Sequence, residues 1–147
     1  FRFFQKVNVQ YASYCPCSAS LCQNLTEETG APGYPHAQRA FADVLIEVVP
    51  PNIIWLEDII EMVESAVKTI PFPILQRLDE QYVAKVAAEN PMFVEDAIRR
   101  ISKVLDEDIN IKDWIVKCDH EESIHTSNAI AINWKGIPGG FEGTYYL

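Results

Sequence analysis

Residues 1–14 interleave β-branched and aromatic side chains with polar ones, a mixture that predicts a strand running into the turn Cys15-Pro16-Cys17. Residues 37–49 read as a second strand, stopped by Pro50-Pro51. Between them, residues 24–35 bring Thr, Glu, Gly and Pro in quick succession, which predicts a loop or a short helix with a loop. The two strands would then form an antiparallel pair joined by this cysteine-bearing connection. Beyond Pro51 the period changes. Ile53, Leu56, Ile60, Val63 and Val67 recur at helical spacing, with Glu57, Asp58, Glu61 and Lys68 on the opposite face. That amphipathic helix, over 53–70, is broken by Pro71 and Pro73. A second helix is expected from Asp79, a good N-cap, to the residue before Asn90-Pro91. A third would span 91–105, with Pro91 in its first turn and Val94, Ile98, Ile101 and Leu105 as its stripe.

Residues 109–118 and 128–134 read as two more strands around a charged turn, and 136–147 as a Gly-rich tail. The order strand, strand, helices, strand, strand predicts an α+β fold in which helices cover one face of an antiparallel sheet. The chain shows no internal repeat and no low-complexity tract.

At 147 residues the chain fits one domain with a real core, and 48% apolar against 22% charged residues exclude disorder. A net charge of −9 argues against a nucleic-acid binder, which needs a basic face. It leaves room for a nucleotide substrate, because one pocket can be basic on an acidic protein. The longest apolar stretch, 53–70, is interrupted by Glu57, Asp58, Glu61 and Glu64, so no membrane span is expected. No secretory signal is visible, and the chain opens at Phe1 rather than Met, so a preceding segment is expected. The cysteines are Cys15, Cys17, Cys22 and Cys118. Neighbours at Cys-x-Cys spacing strain a mutual bridge, and the chain is neither tiny nor loop-rich, so reduced thiols in the cytoplasm are expected.

The candidate chemistry lies in three groups. Cys15-Pro16-Cys17-Ser18 and Pro35-His36-Ala37-Gln38-Arg39 supply soft sulfur and an imidazole. Asp79-Glu80 with Glu95-Asp96, and then Glu122 with His125, add carboxylates and a second imidazole. This is the donor inventory of a catalytic metal site with an open position, whereas a structural zinc site favours four Cys or His ligands. Each residue also has a bland reading. The cysteines could be small core residues and His36 a solvated loop residue. Glu80 could answer a helix dipole, Glu95 an exposed pair with Arg99, and Glu122 and His125 a charged turn. Cys22, Cys118 and His120 have no distinctive context and are read as structural.

Taken together, these residues resemble the type IB GTP cyclohydrolases of the tunnelling fold. The matching pieces are Cys-Pro-Cys-Ser at 15–18, Pro-His-Ala-Gln-Arg at 35–39, Asp-Glu-x-Tyr-Val at 79–83, Asn-Pro-x-Phe-Val-Glu-Asp at 90–96 and Glu-Ser-Ile-His at 122–125. Each is weak alone; five in the family's order are specific. The interval from Cys17 to His36 is longer than in the shortest members, adding a loop that bears Cys22 and Gly30 to Gly33.

The resemblance implies that Cys15, His36 and Glu80 hold a divalent metal (Zn, Mn or Fe) and that Glu95 anchors the guanine of GTP. Cys17, Glu122 and His125 would manage protons during hydrolysis at C8, which releases formate and leads to 7,8-dihydroneopterin triphosphate for folate synthesis. Arg39, Arg77 and Lys85 are minor candidates for the triphosphate. The resemblance further implies one tunnelling-fold module over 1–147, the C-terminal half of a two-module subunit, in a homotetramer. Three alternatives stand beside it. They are the archaeal Fe(II) branch that yields a cyclic phosphate, the related NADPH-dependent nitrile reductases, and a non-catalytic metal-binding or assembly module.

Overall fold

A computed structural model describes residues 1–146; Leu147, the end of the expected tail, lies outside the described residues. The elements are β1 (Phe3–Tyr14), α1 (Pro16–Thr29), β2 (Ala37–Val48), α2 (Leu56–Val67), α3 (Arg77–Glu89), α4 (Val94–Glu107), β3 (Ile111–His120) and β4 (Ala129–Trp134). A short 3-10 turn, Gly143–Tyr146, follows. The strands form one antiparallel sheet in the order β1-β2-β3-β4, with helices on one face, so the α+β fold is as expected. No helix among the described residues is long and apolar enough to cross a membrane.

Side chains alternate across the sheet, and one set of rows faces the helices. Val7, Val44 and Val116 stand side by side; Val9, Ala42 and Cys118 form the next row, and Tyr11, Ala40 and His120 the last. Ile59, Val63 and Val67 of α2 and Ala97, Ile101 and Leu105 of α4 close over them. Each fully buried aliphatic side chain contributes roughly 1.5–3 kcal/mol, so this layer is the main source of stability.

Three helices begin with the same device. The backbone N–H of Trp55, Gln76 and Phe93 donates to Asp58, Asp79 and Asp96 respectively, at 2.8–3.1 Å. An acidic side chain three residues into the helix satisfies a donor that the helix leaves open. Asp79 therefore lies inside α3 rather than at its N-cap, and Pro91 precedes α4 rather than opening it.

The larger difference is α1. The predicted Cys-Pro-Cys turn is the start of a 14-residue helix, and the loop expected over 24–35 begins only after Thr29. Pro16 suits the first helical position, and Gly30 closes the helix at φ 70° with its N–H on Thr26 O. None of its residues is buried, so there was no apolar stripe for the pattern to reveal. After Gly30 the chain folds back, and Gly33 packs against Cys22 so closely that a Cβ there would collide with it.

On the other face, Glu47 is 2% exposed and holds two cations. Arg2 grips both carboxylate oxygens at 3.0 and 2.6 Å, and Lys112 reaches Oε1 at 2.8 Å. A bulge brings Lys112 there, because Glu47 pairs with Asp113 while Val48 pairs with Ile111. Buried Asp113 accepts from the backbone N–H of Phe141 at 2.7 Å, tying the tail across this face.

The Arg2 hydrogen bonds, aided by Lys112, lower the Glu47 carboxyl from 4.5 to about 2. A depressed carboxylate stabilises the fold above the unfolded value and loses that contribution as pH falls through the folded one. Glu47→Gln is therefore expected to be less stable than wild type above pH 5. The gap should close between pH 4.5 and 2, as read by urea unfolding across a pH series; a gap that does not change with pH would refute the assignment.

Candidate active site

Antiparallel pairing gathers the C-terminal ends of β1 and β3 with the N-terminal end of β2. Tyr14 pairs with Ala37, and Ala40 with His120. The segments beyond these ends are laced together by backbone bonds. Cys15 N donates to His36 O at 3.3 Å, Met92 N to Tyr14 O at 3.0 Å, and Glu121 N to Arg39 O at 2.9 Å. The hydroxyl of buried Ser13 donates to Met92 O at 3.0 Å. The chain just before α4 is thereby fixed to the end of β1.

Between these segments lies a cavity of about 430 Å³. Cys15, Cys17, His36, Glu95, Glu122 and His125 line it, so six of the seven residues singled out from the sequence come together. Glu80 does not. It sits exposed on α3, and among the described residues no group of three or more His, Cys, Asp or Glu is close enough to hold a metal. Arg39, Arg77 and Lys85 are exposed and do not line the cavity either; Lys85 stands 3.8 Å from Glu89.

Each member is set by local structure. Cys15 is the N-cap of α1, its sulfur accepting from Ser18 N at 3.5 Å, and Cys17 lies exposed in the first turn. Glu95 occupies the first turn of α4, where the helix N-terminus favours a carboxylate. The loop after β3 carries half-buried Glu122 and exposed His125.

Gln38, 7% exposed, links two of these groups. Its Nε2 donates to Glu122 Oε1 at 2.8 Å, and its Oε1 lies 3.0 Å from His36 Nδ1. A carboxylate only accepts, so the amide nitrogen must face Glu122 and the carbonyl must face His36. Nδ1 of His36 therefore carries the hydrogen, and in the neutral ring Nε2 keeps its lone pair. A ligating histidine is oriented in this way, by a hydrogen bond on the nitrogen that does not bind the metal. The free Nε2 of His36 and the sulfur of Cys15 thus fit two donors to a borderline divalent ion. The third expected donor stands outside the cavity.

His120, read from the sequence as structural, also lines the cavity. It is 1% exposed, and its Nε2 lies 2.8 Å from the Tyr11 hydroxyl. The signal available in the sequence was its place at the end of the row Trp114, Val116, Cys118, where an imidazole interrupts a buried apolar series. Burial lowers its pKa from 6.5 to about 4, against weaker upward pulls from Asp119 and Glu95. It is therefore neutral at pH 7.

An α+β module with thiols, imidazoles and carboxylates converging at one end of its sheet matches a known class of proteins. A family model described as Type I GTP cyclohydrolase folE2 matches residues 1–131, and the chain belongs to that family. Among curated relatives, the GTP cyclohydrolase FolE2 of Cereibacter sphaeroides is 40% identical over 126 residues, covering 86% of this chain and 35% of its own length. That of Hydrogenovibrio crunogenus is 35% identical over 158 residues, covering 92% of this chain and 51% of its own length. The chain thus spans between about a third and a half of the relatives it matches.

Because its folded pKa is depressed, His120 destabilises the fold once it is forced to charge, so its contribution is lost as pH falls from about 6.5 to about 4. Imidazole NMR is expected to show His120 titrating near pH 4 and unprotonated at pH 6. A His120 midpoint at 6 or above would contradict its burial.

Proposed function

We propose that this chain is the metal-bearing catalytic module of a type IB GTP cyclohydrolase, which hydrolyses the imidazole ring of GTP at C8, releases formate and forms 7,8-dihydroneopterin triphosphate. The observation that supports this reading is the convergence of Cys15, Cys17, His36, Glu95, Glu122 and His125 on one cavity. The match of residues 1–131 to the family model supports it independently.

Cys15 and His36, with Glu80 as third donor, would hold a divalent metal (Zn, Mn or Fe); when bound, such an ion activates water for hydrolysis at neutral pH. Gln38 holds the His36 ring with its hydrogen on Nδ1, which leaves Nε2 free to bind. Glu95 accepts from N1–H and the 2-amino group of guanine; Arg99 pairs with Asp96, and among the described residues no protein hydrogen bond or ion pair competes for Glu95. Glu122 gives one oxygen to Gln38 and keeps the other to polarise His125. His125 then protonates the departing ring nitrogen, and Cys17 relays a further proton. In this reading the chain is one tunnelling-fold module, the C-terminal of two in a subunit of a cytoplasmic homotetramer serving folate synthesis. A neighbouring module completes the GTP site.

Metal content and formate release from GTP test the reading. Cys15→Ala is expected to lose bound metal and turnover together, by at least a hundredfold in rate; a variant that keeps its metal would remove Cys15 from the ligand set. Wild type that binds metal but neither binds nor turns over GTP would leave an assembly module instead. Gln38→Leu, which frees the His36 ring, is expected to weaken metal affinity roughly 10–100-fold in equilibrium dialysis. An unchanged affinity would refute the orienting role.

A further inference from the structure

Tyr11, Cys118 and His120 form a buried polar cluster that the mechanism above does not use. Tyr11 and His120 are directly across the sheet from one another, with Ala40 of the central strand between them. A larger residue at Ala40 would keep them apart. With it, the rings meet edge to face at 5.5 Å and the Tyr11 hydroxyl reaches His120 Nε2. The Cys118 thiol lies close to the Tyr11 hydroxyl. Burial raises both acids, Cys118 to about 12, so each keeps its proton.

The phenol has one proton and, among the described residues, one hydrogen-bond partner. An imidazole nitrogen accepts far better than a thiol sulfur, and a buried O–H left without an acceptor is costly. The phenol proton is therefore satisfied when Tyr11 O–H donates to His120 Nε2. In a neutral imidazole the remaining hydrogen is then on Nδ1. His120 shares the cavity wall with Glu95 and Glu122, whose carboxylates can only accept.

 Nδ1 of His120 has no protein hydrogen-bond partner among the described residues and is not fully buried, so its N–H opens onto the cavity that Glu95 also lines.

The Watson–Crick edge of guanine presents two donors, the 2-amino group and N1–H, followed by one acceptor, O6. A carboxylate matches the donors, and a neighbouring N–H matches the acceptor without burying a second charge. We propose that His120 reads guanine O6 through its Nδ1–H, and that Tyr11 is the positioning residue that fixes this tautomer. The inference rests on the guanine-nucleotide reading above and adds to it the group that distinguishes the 6-oxo base.

Three nucleotides separate the contacts: GTP, 6-thio-GTP (a weak acceptor at position 6, both donors kept) and inosine triphosphate (O6 kept, 2-amino group lost). Their dissociation constants can be read on the intact protein by displacement of a ribose-labelled fluorescent GTP. Wild type is expected to prefer GTP over 6-thio-GTP by about tenfold, the worth of one well-made hydrogen bond. His120→Phe should bring that ratio close to one while leaving the GTP to inosine triphosphate ratio unchanged. Tyr11→Phe, which deletes a single oxygen and carries the test if His120→Phe does not fold, should lower the first ratio at least threefold and spare the second. His120→Gln, which keeps an N–H donor, should restore part of the preference. A merely structural role would weaken all three nucleotides in parallel and preserve both ratios, and that result would overturn the proposal. Equal wild-type binding of GTP and 6-thio-GTP would overturn it while leaving the cyclohydrolase reading intact. Failure of wild type to bind GTP at all would overturn both.

Discussion

Tyr14 lies opposite Ala37 and Ala40 opposite His120, and these two pairings place the ends of three strands side by side. Register in a sheet is all or nothing. A slip of one residue would turn every side chain to the other face, exposing Val7, Val44 and Val116 and burying Asn8, Asp43 and Lys117. The apolar rows that hold the core thus also hold the site. The chain leaving β1 at Cys15, entering β2 at His36 and leaving β3 at Glu121 has little freedom in where it begins. Backbone bonds from Met92 to Tyr14 and from Glu121 to Arg39 extend that order past the strands.

Polar groups inside this frame are paired, and the pairing carries information. An unsatisfied buried polar atom costs about 1–3 kcal/mol, comparable to the gain from burying an aliphatic side chain. Ser13, Gln38 and His120 all lie at the site end of the sheet, and each has a partner that fixes its orientation. Gln38 is the clearest case. The carboxylate of Glu122 decides which way its amide faces, and the amide decides which nitrogen of His36 holds the hydrogen. A chemical property of the first imidazole is thereby set by a residue that never touches it.

Strands β1 to β3 and the helices α2 and α4 were legible in the sequence because each has a buried stripe, and burial writes periodicity. α1 was not, because none of its residues is buried and its start is set by Cys15 and Pro16 rather than by an apolar face. At the site, Cys15, Cys17, His36, Glu95, Glu122 and His125 were legible as motifs, since each depends on local sequence and on strand ends that pattern can locate. His120 was not singled out. Its role depends on facing Tyr11 across Ala40, and cross-strand neighbours appear only when the register is known. Glu80 was named with the ligands, but its helix does not bring it to the cavity.

That last difference has a physical root in how α3 is seated. Among its residues only Ala87 is buried, while Leu78 and Tyr82 are exposed, as are Leu21 and Leu25 of α1. Next to α3 lies an apolar cavity of about 330 Å³, lined by residues such as Phe72, Leu75 and Val86. Short helices draw most of their stability from packing rather than propensity, so a helix with one buried residue is only loosely specified in position by its own chain. Cys15 and His36, by contrast, are joined by a backbone hydrogen bond at the strand ends. Two donors of the expected metal set are therefore fixed at the end of the sheet, and the third rides on a helix with a single buried residue. A site divided in this way would couple metal binding to the docking of α3, because the ion's affinity rises only when the carboxylate is brought within reach.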